Sequence, residues 1–184
     1  MYWCVPVSQA CPEISGMTYG KSPISPFEII CPWKVDPIID LAKKNKCRII
    51  IPIDCNTSSK FNGDATYKTL KSLDSNDIIL DIGKDTINLI EDIIDSSNTV
   101  FWNGPAGYYE NKNFSTGTIS IGKKIAENTN SKFLISIVGG GDTVAAIKKT
   151  GLEKFFTHLS TAGGAFLESL EGKELPGIKA LKRI

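Results

Sequence analysis

Apolar positions along this chain fall into short blocks separated by polar turns, and the blocks switch between a helical and an extended period. Asp36-Pro37 offers a capping carboxylate and a first-turn proline ahead of Ile38, Ile39, Leu41 and Ala42, which predicts a helix. Cys47–Ile53 (CRIIIPI) is an almost continuous apolar run and reads as a strand buried on both faces. Residues 54–66 are polar, with Asn62-Gly63 marking a tight turn, and Ile78–Ile82 reads as a second strand. Ile87, Ile90, Ile93 and Ile94 recur at helical spacing and predict a helix over Gly83–Ser96. There follow a strand at Thr99–Trp102, a helix at Thr116–Thr129, and the clearest buried strand, Phe133–Val138. A helix at Asp142–Lys149, a short strand at Thr157–Ser160 and a helix at Gly164–Leu170 complete the series. Such alternation predicts an α/β domain: a parallel sheet with helices on both faces, a Rossmann-like three-layer αβα arrangement.

Residues 1–35 break this rhythm. Pro6, Pro12, Pro23, Pro26 and Pro32 interrupt any helical or alternating pattern, so the stretch reads as an irregular, unassigned segment ahead of a domain at 36–184. Composition narrows the partners. With 21 basic and 20 acidic residues the net charge is +1, which argues against a nucleic-acid surface or a polybasic membrane face. A phosphate-bearing ligand must then be held by local chemistry. The five cysteines (Cys4, Cys11, Cys31, Cys47 and Cys55) fit neither a disulfide framework nor a zinc site and read as reduced thiols. The first residues have no basic region before an apolar core, and no apolar run approaches the roughly 18 residues that span a bilayer. The expected setting is cytoplasmic.

Chemistry is expected at the C-terminal ends of the parallel strands, where ligands sit in such sheets. Three turns there are unusual: Asn103-Gly-Pro-Ala-Gly107 with Glu110 beyond it, Gly139-Gly-Gly-Asp-Thr143, and Ser160-Thr-Ala-Gly-Gly164. Glycines at a helix start let backbone amides approach an anion, and the helix dipole adds about half a positive charge there. Asp142 would repel a bare phosphate, so its presence calls for a cation, and a hard oxygen ligand beside phosphates suggests Mg²⁺. A Gly-Gly-Gly turn also suits a tight connection, and Asp142 also suits an N-cap. Three such turns on successive units favour a nucleotide-handling rim.

Gly16-Met-Thr-Tyr-Gly20-Lys21-Ser22 imitates a Walker A loop but has three residues between its glycines instead of four, and Pro23 and Pro26 obstruct the helix that should follow. It is not a P-loop. His158, the single histidine, reads as structural within a short apolar strand, and Trp102 as core or loop packing.

Together, Phe101–Gly107 with Glu110, Gly139–Thr143, Ser160–Gly164 and Leu170-Glu-Gly-Lys-Glu-Leu-Pro-Gly177 resemble phosphoglycerate kinase, in that family's order and near its spacing. Weaker similarity runs back through Leu80–Gly83 and Ile51–Asp54 to about Asp36. The resemblance implies a partial nucleotide-binding domain that uses ATP or ADP with Mg²⁺. It places Glu110 on the ribose hydroxyls and Asn103 against the nucleotide. Gly140, Gly141, Asp142 and Thr143 would hold the phosphates, with Asp142 on the metal, and the amides of Gly163 and Gly164 would face the phosphoryl group in transfer. It further implies an acceptor domain that binds 3-phosphoglycerate through basic residues, and a lysine on the nucleotide phosphates. Neither has a counterpart here, and a separate chain would have to supply them. The domain is thus expected to be incomplete at its N-terminal side, and the chain to be inactive alone. A non-catalytic nucleotide-binding module and a gene remnant are the alternatives the sequence leaves open. Asp54-Cys-Asn-Thr-Ser58 departs from the resemblance, which implies an apolar stretch there, and Ala162 stands where many members have glycine.

Overall fold

The computed structural model describes residues 3–4 and 39–182. In chain order the elements are strand β1 (Trp3–Cys4), a helical stretch α1 over 39–44, and strands β2 (Asp54–Ser58), β3 (Thr66–Thr69) and β4 (Ile78–Ile82). Helix α2 (Lys84–Asp95) leads to β5 (Thr99–Asn103), α3 (Thr116–Lys132) to β6 (Ile135–Gly139), and α4 (Gly141–Thr150) to β7 (His158–Ser160). Helices α5 (Gly163–Leu170) and α6 (Pro176–Leu181) close the chain. The strands form a parallel sheet of order β1-β5-β6-β7 and a separate antiparallel sheet of order β3-β2-β4.

The parallel sheet carries the main core. Val100 and Trp102 on β5 and Val138 on β6 face Ile121, Ile125 and Ala126 of α3 and Val144 and Ile147 of α4, with Ile94 of α2 and Phe156 at the margins. α2 packs on α3 and α3 on α4, so these helices form one continuous layer. Gly122 of α3 lies beside the Trp102 indole, where a Cβ would make an ordinary van der Waals contact with the ring at 3.5 Å. On the opposite face, where alternation puts Ile135 and Ile137, Ile135 remains 49% exposed.

Several expectations need correction. Cys47–Ile53 is not a strand: it pairs with no neighbour among the described residues, and Ile49, Ile51 and Ile53 are 46%, 68% and 53% exposed. Its composition suits burial on both faces, but that burial requires flanking strands, which the described residues do not provide. The polar stretch expected to be a loop instead contains β2, the centre of the antiparallel sheet. Its polar side chains tolerate burial because each has a partner. Asn56 Nδ2 donates to Ile82 O at 3.1 Å, and the Thr57 hydroxyl donates to Thr66 O at 3.3 Å. β3 was not anticipated at all, and β4 runs in this second sheet and not in the parallel one. Trp3–Cys4, inside the segment read as irregular, pairs parallel with Phe101–Trp102. The rest of that segment, the false Walker loop and the Asp36-Pro37 cap lie outside the described residues. Phe133 is not strand but the left-handed C-cap of α3, with φ of 60° and 93% exposure.

Asp54 joins the antiparallel sheet to α2. That helix begins after Gly83, which has no side chain to cap it, and Asp54 takes over from β2. Its carboxylate accepts from the Asp85 and Thr86 amides, both at 2.8 Å, and from the Thr86 hydroxyl at 2.5 Å. Gly83 is required: a Cβ would come within 2.2 Å of the carboxylate. Burial alone would push the Asp54 carboxyl up, but the Thr86 hydroxyl and the two amides outweigh it and hold it below the usual range. A lowered carboxyl contributes stability above about pH 4 that is lost as the pH falls through its folded value. Asp54→Ala should therefore cost about 2 kcal/mol, as loss of a strong cap does, and remove that acid-range contribution. Thermal melts of both proteins between pH 3 and 7 check this, with a fall of about 6 °C expected at neutral pH.

Candidate functional site

The parallel register sets Asn103, Gly139 and Ser160 side by side at the C-terminal ends of β5, β6 and β7. The three glycine-bearing turns therefore start from one row. Beyond it they close on each other. Gly140, at φ of +93°, adopts a conformation that favours glycine, and a Cβ on it would lie 2.6 Å from Asn103 Oδ1. A Cβ on Gly163 would lie 2.8 Å from Gly140 Cα and 3.4 Å from Asn103 Oδ1. Backbone meets backbone here, and a methyl group would force the turns apart.

The turns differ in what they present. At the start of α4 Val144 N–H donates to Gly140 O, so the amides of Gly141, Asp142 and Thr143 precede the ladder. Gly163 and Gly164 open α5 in the same way. The turn after β5 behaves differently. Gly104 N–H donates to Thr143 Oγ1 at 2.7 Å, and Ala106 and Gly107 donate to Thr118 Oγ1 at 3.0 and 3.3 Å. Its donors are spent inside the protein, which leaves the side chains of Asn103 and Glu110 as the groups it could offer a ligand.

Thr143 is fully buried and its hydroxyl is engaged by Gly104, which leaves its amide as its means of reaching a phosphate. Asp142 and Glu110 are exposed. Asp142 lies in the first turn of α4 but does not cap it: the N-cap is Gly140. Burial pushes the Tyr109 phenol up, and the charges of Glu110 and Asp142 add to the effect. Lys149 Nζ sits 4.8 Å from the centre of that ring. Trp102 is buried as expected, and its Nε1 donates to Gly104 O at 2.8 Å. His158 is exposed and is no core residue. Among the described residues no group of three acidic, His or Cys side chains could hold a metal alone. A Mg²⁺ ion here would rest on the Asp142 carboxylate and the phosphates of its ligand, a mode that suits Mg²⁺.

The sequence of residues 13–173 matches the phosphoglycerate kinase family. The chain belongs to that family. The match reaches ahead of Asp36, into the segment that had no assignment. The chain is 43% identical over 147 residues to the phosphoglycerate kinase of Methylorubrum extorquens (strain PA1), covering 79% of this chain and 37% of that protein. It is 45% identical over 150 residues to the phosphoglycerate kinase of Staphylococcus aureus (strain JH9), covering 80% and 37%. Among solved structures, phosphoglycerate kinase from Coxiella burnetii superposes with a TM-score of 0.72 at 37% identity, covering 80% of this chain and 38% of that one. The enzyme from Pyrococcus horikoshii OT3 gives 0.62 at 30% identity, covering 80% and 37%. This chain thus spans little more than a third of the phosphoglycerate kinases it matches.

Sequence reasoning missed the supports of the site. Asp81, on β4 and 2% exposed, accepts from Gly117 N–H at the start of α3 at 2.9 Å and from its neighbour Ile82 N–H at 2.9 Å. Tyr108 N–H donates to Leu80 O at 2.7 Å, and the Tyr108 ring meets Phe61 edge to face at 5.7 Å. The antiparallel sheet therefore braces the loop that carries Glu110.

Burial raises the Asp81 carboxyl to about 6, against the lowering effect of the Gly117, Ile82 and Thr116 amides. A raised carboxyl favours the fold fully below its unfolded value near 4, and that contribution is lost as pH rises through 6. Ionising Asp81 at neutral pH should cost about 3 kcal/mol. In Asp81→Asn, denaturant titrations between pH 4 and 7 should lose this downward slope. An unchanged slope would show that Asp81 is not its source.

Proposed function

We propose that the rim binds Mg²⁺-ADP or Mg²⁺-ATP, and that this chain carries the nucleotide half of a phosphoglycerate kinase. The observation that supports this best is the meeting of three turns at Asn103, Gly140 and Gly163, with α4's first-turn amides and the Asp142 carboxylate beside them. Polyphosphate needs many donors close together, and the free amides of a glycine-rich helix start supply them. The amides of Gly140, Gly141, Asp142 and Thr143 hold the phosphates, and Asn103 lies against the nucleotide. Glu110, which offers acceptors, takes the ribose hydroxyls. Mg²⁺ on Asp142 would offset the charge of the phosphates. The amides of Gly163 and Gly164 face the group in transfer, which in the whole enzyme passes between ATP and the carboxylate of 3-phosphoglycerate. Such transfer depends on positioning and charge stabilisation more than on covalent chemistry.

The chain matches about 37% of the relatives' length, and the acceptor side of the reaction has no counterpart in the residues it matches. The chain alone is then a cytoplasmic nucleotide-binding module without turnover.

Isothermal titration should give saturable MgADP binding that Asp142→Ala weakens at least about tenfold, through loss of a charge-assisted contact. Absence of heat in the wild-type chain would sink the nucleotide reading. A coupled assay with ATP and 3-phosphoglycerate should show no turnover, and a rate in the ordinary kinase range of about 1–100 per second would show that the chain is a complete catalyst.

A further inference from the structure

The turn after β5 has three backbone donors, because Pro105 contributes none. One goes to Thr143, which belongs to the rim. The other two, from Ala106 and Gly107, converge on Thr118 Oγ1 at 3.0 and 3.3 Å. Thr118 sits in the first turn of α3 and is 4% exposed. A hydroxyl oxygen has two lone pairs, and here both are engaged by one loop.

The seat of Thr118 is itself fixed. Its neighbour Gly117 donates to Asp81 Oδ2 at 2.9 Å. Gly107, at the far end of the loop, lies against the same carboxylate: a Cβ on Gly107 or on Gly117 would fall 2.3 or 2.5 Å from Asp81 Oδ1. The loop, the start of α3 and β4 thus meet around one carboxylate and one hydroxyl. What they hold between them is the span that separates Asn103 from Glu110.

We propose that Thr118 is a positioning residue for the nucleotide, which rests on the reading of the rim given above. By gathering the Ala106 and Gly107 amides, its hydroxyl fixes the path of the loop and so the spacing of Asn103 and Glu110. Thr118 touches no ligand and acts only through the loop. Its part is distinct from that of Thr143, which ties the loop to α4 from the rim side.

Two substitutions separate this role from plain helix stability. Thr118→Val keeps the shape and removes the acceptor, whereas Thr118→Ser keeps the acceptor. In the ligand-free protein, hydrogen exchange at Ala106 and Gly107 should speed up at least about tenfold in Thr118→Val and stay near wild type in Thr118→Ser. The dissociation constant for MgADP should rise at least about tenfold in Thr118→Val and return in Thr118→Ser. Fast exchange of both amides in the wild-type chain would overturn the proposal without any variant, so it remains testable if Thr118→Val does not fold. Loosened amides with unchanged MgADP affinity, or a serine variant that fails to restore binding, would also overturn it. A wild-type chain that protects these amides but binds no MgADP refutes the nucleotide reading instead, and with it the positioning role.

Discussion

The arrangement depends on how closely three pieces of backbone approach at the ends of the parallel strands. Gly163 leaves no room for a methyl group against Gly140, and Gly140 leaves none against Asn103. Parallel pairing puts the strand ends in one row, but pairing alone would leave a gap filled by side chains or water. Removing the side chains lets the turns close until their backbones come into contact. The rest of the domain keeps that geometry fixed. Trp102 packs β5 against Ile121 and Ile125 of α3, and Thr143 ties the first turn to the second.

The two buried carboxylates show how the same residue type does opposite work in two places. Asp54 caps α2 with a hydroxyl and two amides, and those donors exceed the cost of burying its charge. Asp81 has amide donors only, and burial prevails. Asp54 therefore anchors as an ion, whereas Asp81 is held in place at an electrostatic cost that the fold meets elsewhere. Both lie in the antiparallel sheet, which acts less as a second domain than as a brace for α2 and for the loop that carries Glu110.

Much of this was legible from the residues in order. Long periodic stretches such as 84–95 and 116–132 announce their helices, and the run before Gly139 announces its strand, because each signal is local. The glycine turns were legible for the same reason. β2 was not, because Asp54, Asn56 and Thr57 look like loop residues until their distant partners Thr86, Ile82 and Thr66 are in place. Cys47–Ile53 misled in the opposite sense: its apolar pattern describes neighbours that the described residues do not contain. Thr118 and Asp81 were invisible as supports because the loop they hold lies elsewhere along the chain, and neither carries any motif of its own.

The bare isoleucines have a consequence for the life of this chain in a cell. An exposed apolar run recruits extended segments that it meets, including one from another copy of itself. Encounters between copies grow with the square of concentration, whereas encounters with a dissimilar chain grow with the product of the two. How much of this protein stays dispersed is then a matter of dosage. Higher abundance would tip it toward self-assembly, and lower abundance would keep it dispersed.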